Sequence, residues 1–166
     1  MLRRTSLRTT RRASTLPLPA DHAWAVVACG LEGSRWYVDA GPLVVRGFID
    51  RLVGGGGRRW SVPGRPLLVR GDTVGFWRVW EVTDGPGQPD GTRRLVLVAD
   101  VRSPGRVTLT TTVTPDGANG CRLEQEVRLD PDGLVGAAYL LADLPARETV
   151  AELVHRRVVG DVLQGR

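Results

Sequence analysis

Lysine is absent from this 166-residue chain, and cysteine, histidine, tyrosine and phenylalanine occur only twice each. Cys29 and Cys121 lie far apart, with no CxxC and no histidine at metal-ligand spacing. That pattern excludes a zinc ribbon and a disulfide scaffold, so no metal is expected. Two buried thiols suit a reducing compartment, and the expected location is cytoplasmic, although one bridge between them stays open. Nucleophile elbows, HExxH, phosphate-loop and dinucleotide-binding glycine patterns are all missing, so no catalytic residue and no cofactor is expected. No apolar run reaches the roughly 18 residues that span a bilayer, so no transmembrane segment is expected.

What is abundant is arginine. All 23 basic residues are arginine, and Arg3, Arg4, Arg8, Arg11 and Arg12 precede the first acid. The remainder of the chain is formally neutral. Phosphate-driven binding needs several cations gathered on one face, so no nucleic acid is expected for the body. Residues 1–14 read as a disordered Arg-rich tail and 15–166 as one domain. A twin-arginine export signal would need a long apolar stretch next, whereas Ser, Thr, Pro and Asp follow.

Helical spacing places one helix over 19–30 and a second over 42–53, the latter opening at Pro42 and closed by Gly54–Gly57. From residue 66 the period changes to two. Residues 66–70 and 73–83 are expected to form a hairpin at Gly71-Asp72, followed by strands over 93–102, 106–114 and 121–129. Their clean alternation marks antiparallel strands with one wet and one dry face. The chain ends in helical segments over 134–143 and 146–164, broken or kinked at Pro145. The apolar stripe of the last one is Val150, Leu153, Val154 and Val158. Helices, a strand meander and a long amphipathic helix give an α+β class: a curved antiparallel sheet wrapped around the C-terminal helix.

Few residues suggest chemistry. His22 and His155 read as surface or boundary residues. Five tryptophans against two phenylalanines is an unusual ratio, and Trp36, Tyr37, Trp60, Trp77 and Trp80 precede the middle of the sheet. Clustered indoles form either core or a pocket wall. In strand 73–83, Phe76, Arg78 and Trp80 share one face while Trp77, Val79 and Glu81 share the other, and pattern alone does not choose the inward one. Leu97, Leu109 and Gln125 fall on dry faces. A buried amide must find a neighbour, a water or a ligand. Arg46 and Asp50, four apart on the second helix, can pair.

Several segments together resemble a bacterial domain family without a settled activity, within the START/polyketide-cyclase-like (SRPBCC) superfamily of helix-grip folds. That family is often found beside NAD(P)-binding epimerase-like domains. The matching pieces are Trp36-Tyr37, Arg46-Gly47 with Asp50, Leu52-Val53-Gly54-Gly55, Gly71-Asp72, Phe76-Trp77-Arg78-Val79, Pro104-Gly105, Gln125, and Pro131 with Gly133-Leu134, Gly136 and Tyr139. Two departures stand out: Gly75 where the family tends to carry an acid, and Leu140-Leu141-Ala142 where it tends to be aromatic. The resemblance implies a cavity between sheet and last helix.

The expected function is therefore binding of a small, mostly apolar ligand in that cavity. The cavity candidates are Trp36, Tyr37, Trp77, Arg78, Trp80, Leu97, Leu109, Gln125 and Tyr139, with Arg46 and Asp50 as a polar pair. The first alternative is a cyclase- or dehydratase-like enzyme using Asp50, Glu81 and Tyr139. The second is an interaction module acting through the basic tail. Oligomeric state is not encoded in any feature of the chain.

Overall fold

The computed structural model describes residues 2–5, 8–31, 36–39, 63–85, 88, 90–100 and 105–165. The strand meander follows the period-two pattern. Strands β1 (Leu2–Thr5) and β2 (Thr9–Leu16) precede helix α1 (Ala20–Val27), the short β3 (Cys29–Gly30) and one turn of helix, α2 (Trp36–Asp39). Then come β4 (Arg65–Leu67), β5 (Thr73–Val74), β6 (Trp77–Thr83), β7 (Arg93–Ala99), β8 (Gly105–Pro115), β9 (Cys121–Pro131) and the long helix α3 (Gly133–Gln164).

Seven strands form one sheet in the order β1-β2-β9-β8-β7-β6-β5, with every pair antiparallel. The N-terminal strand β2 thus closes against β9, the last strand of the meander. A separate two-stranded ribbon pairs β3 with β4. Helix α3 packs along β9 and β2 and touches α1 and α2, so the sheet curves around it. This is the helix-grip arrangement. No helix among the described residues is long and apolar enough to cross a membrane.

Alternation selects the concave face. Leu95, Leu97, Leu109, Val113, Cys121 and Leu123 point inward and join the core with Val154, Val158 and Val162 of α3. Two glycines are required by backbone geometry. Gly75 has φ +67 and makes the two-residue link between the paired Val74 and Trp77. An acid there would be strained. At Gly105 a Cβ would sit 2.4 Å from the Asp130 carbonyl oxygen.

Four expectations change. Residues 1–14 are not a loose tail, because 2–5 and 9–16 are paired strands of the main sheet. The hairpin forms at Gly75-Phe76, and β4 pairs with β3 instead of with 73–83. The two C-terminal helical segments are one helix running through Pro145; a proline forfeits a single backbone bond of a helix whose turns continue on both sides. Its buried stripe is Ala151, Val154, Val158 and Val162, while Leu153 is 44% exposed. The first helix is present as α1, and the helix expected over 42–53 lies outside the described residues.

Candidate functional site

Strand β6 carries a bulge. Val79 pairs with Leu97 and Glu81 with Val96, so Trp80 is an extra residue without a ladder partner. A bulge re-aims the side chains that follow it. Trp77 and Val79 face the core, Val82 takes the next inward position, and Glu81 turns away. Two expected cavity residues are corrected on this ground. Arg78 lies on the convex face, where its guanidinium pairs with Asp100 at 3.7 Å, and Trp80 is 46% exposed.

Trp36, Tyr37 and Trp77 are buried, and each has its polar atom engaged by backbone. The Trp36 indole donates to the Val27 carbonyl at 3.1 Å, Trp77 to the Tyr37 carbonyl at 2.9 Å, and the Tyr37 hydroxyl to the Cys29 carbonyl at 2.8 Å. These bonds tie α2 and the α1–β3 segment to β6. They leave the three rings as apolar wall, without a free donor for a ligand. Leu97 and Leu109, cross-strand neighbours on β7 and β8, share the concave face. Arg46 and Asp50 lie outside the described residues. Tyr139 falls within α3, but its side chain is not among those described.

Gln125 sits midway along β9 at 3% exposure, between Arg12 on β2 and Thr111 on β8. Its Nε2 donates to Thr111 Oγ1 at 3.1 Å, and its Oε1 has no partner among the described residues. The threonine hydroxyl both donates and accepts, so turning the amide over exchanges which end is left over and still leaves one.

The sequence reading missed a buried polar assembly that joins β2 to α3. Arg12, 3% exposed, donates from Nε to Glu152 at 2.9 Å and from Nη2 to Glu148 at 2.5 Å. Thr10 donates to the other Glu148 oxygen at 2.8 Å and accepts from Arg147 Nε at 3.2 Å. Desolvation is the largest influence on Arg12 and opposes its charge. Hydrogen bonds to Glu148 and Glu152 outweigh it and hold the guanidinium above its ordinary pKa.

One turn further along α3, His155 Nε2 lies 2.9 Å from Ser14 Oγ. Burial pushes this imidazole down to about 4, with the Arg12 charge acting in the same sense and Glu152 against it. It is therefore neutral at pH 7. Its Nδ1 is buried with no partner among the described residues. A serine beside a histidine resembles a nucleophile and its base, but a base of such low proton affinity removes a proton poorly at neutral pH. His155 is thus an interior residue, not the boundary residue its position suggested. The signal was present but ambiguous: Glu148, Glu152 and His155 recur at helical spacing, and a polar stripe of that kind reads as solvated.

The profile of a family described as "Protein of unknown function (DUF2867)" matches residues 2–154. No curated protein matches the chain. Among solved structures, truncated norcoclaurine synthase from Thalictrum flavum is 11% identical, with 94% of this chain and 92% of that one covered at a TM-score of 0.53. A START superfamily protein from Mycobacterium smegmatis is 14% identical, with 95% and 98% covered and a TM-score of 0.49. The Zhui aromatase/cyclase from Streptomyces sp. R1128 is 14% identical, with 95% and 94% covered and a TM-score of 0.49. Identities this low speak to the fold alone.

Proposed function

We infer that this chain, which belongs to the DUF2867 family, holds a small, mostly apolar molecule between the concave face of its sheet and α3. One observation carries the reading: the Gln125 amide, buried on that face with one end unpartnered among the described residues. An unpaired buried polar atom costs about 1–3 kcal/mol, and a ligand hydroxyl or carbonyl would recover it. Leu95, Leu97, Leu109, Val113 and Leu123 share that face, with Arg12 across from Gln125 on β2, so a ligand extending toward β8 and β7 would meet hydrocarbon. Pockets of this composition hold apolar molecules and orient them with a few polar groups. The catalytic alternative is less well supported, because Glu81 faces away from the core and His155 is a weak base.

The test is a hydrophobic-ligand screen followed by thermal shift and tryptophan fluorescence, since Trp36 and Trp77 lie in the core. Gln125→Leu/Thr111→Val, which removes both partners of the buried amide–hydroxyl bond together and so orphans neither, should raise the stability of the empty protein by about 1 kcal/mol. The same variant should abolish discrimination between a bound molecule and its deoxy analogue. A screen in which no ligand shifts either signal would remove the binding reading. So would a destabilised Gln125→Leu/Thr111→Val variant, which would make the polar pair a structural feature.

A further inference from the structure

We propose that the convex face carries a docking site for an anionic bilayer surface, centred on Trp80 with Arg70 and Arg106. Trp24, Trp36 and Trp77 are buried, whereas Trp80 is 46% exposed because it is the extra residue of the β6 bulge. Two guanidinium groups lie against its ring, with the Cζ of Arg106 4.8 Å and that of Arg70 5.7 Å from the centroid. Val69, beside Arg70, is also exposed.

Among the described residues, Arg70 and Arg106 lack the carboxylate partner that several other arginines have, Arg78 on this same face included. Arg65, Arg78, Arg93 and Arg128 each reach a carboxylate. Arg106 stands opposite Asp130 in the β8–β9 ladder, yet Asp130 is taken by Arg128 at 2.9 Å. Neither Arg70 nor Arg106 has an ion-pair partner among the described residues. The result is an exposed indole and an exposed valine, flanked by two guanidinium groups with unspent charge.

Indole rings settle at the headgroup level of membranes, where one end is apolar and the other wet. Arginines beside them are drawn to anionic lipid. A single-stranded nucleic acid would instead call for a series of stacking aromatics along a basic groove, and among the described residues the patch offers Trp80 beside Val69. The proposal is independent of the ligand reading, since it uses the opposite face of the sheet.

The experiment is co-sedimentation of the full chain with phosphatidylcholine vesicles, with and without one third phosphatidylglycerol. Binding should require the anionic lipid and weaken with salt. Arg70→Gln/Arg106→Gln should weaken partitioning by about thirtyfold, equivalent to about 1 kcal/mol per arginine. Arg11→Gln/Arg122→Gln, which removes the same charge from β2 and β9, should leave it near wild type. Brominated lipid should quench tryptophan emission in the wild type and not in Trp80→Phe. All these side chains are exposed, so melting temperatures should stay unchanged and report that the variants fold. No partitioning of the wild type would overturn the proposal, as would an equal loss in the control pair. Retention of single-stranded DNA in place of vesicles would do the same.

Discussion

His155 couples the folded state to acidity. In the unfolded chain an imidazole takes up its proton near pH 6.5, whereas in the fold it does so only near 4. Between those values the unfolded state binds more protons, so stability falls as pH drops from 6.5 toward 4 and is fully present above that window. The shift corresponds to about 3 kcal/mol. Urea denaturation at pH 7 and pH 4.5 should show most of this loss in the wild type and little of it in His155→Gln. Two glycines give a second contrast between residues of one kind. Gly105→Ala places a methyl group against the Asp130 carbonyl in a left-handed conformation, and should cost about 1–3 kcal/mol. Gly160 has open space around its missing Cβ and lies inside α3. Gly160→Ala should stabilise by about 0.5–1 kcal/mol. Denaturation midpoints of the two variants should therefore move in opposite directions.

At the scale of elements, the joint between β2 and α3 is polar where the rest of the interior is apolar. Arg12→Met would leave Glu148 and Glu152 facing the space it vacates. Breaking a buried pair costs about 3–5 kcal/mol. Glu148 retains about a third of its side-chain exposure, which lowers the expected loss to about 2–4 kcal/mol. Restoring most of that loss with Glu148→Gln/Glu152→Gln in the Arg12→Met background would identify the carboxylates' lost pairing with Arg12 as its cause. The same joint explains why β2 was illegible. Strands β7, β8 and β9 place mostly leucine and valine on every second residue, so their pattern declares them without knowledge of any partner. Thr10, Arg12 and Ser14 alternate just as regularly in space, but their inward side chains are polar. The groups that make burial tolerable lie more than 130 residues away in sequence. A local pattern cannot show that. The β6 bulge hid the candidate site in another way: one inserted residue exchanges the faces of everything after it, so Glu81 and Trp80 could not be assigned a side from alternation.

For the molecule as a whole, residues 1–14 decide whether the sheet is closed against its helix. A detachable basic tail could be removed with the fold left intact. In the structure that segment supplies β1 and most of β2, and its loss would uncover the hydrogen-bonding edge of β9. It would also remove the Arg12 and Ser14 contacts that hold α3. An exposed β9 edge and the loss of Arg12 from beside Glu148 and Glu152 are each costly, and they would fall on the same joint. The chain beginning at residue 15 should therefore show no cooperative thermal transition and should expose its core to a hydrophobic dye. The opposite result would be a sharp melt close to that of the full chain. That would mean the meander and α3 form a self-sufficient unit, with β2 laid on its edge and the polar joint contributing little to the fold.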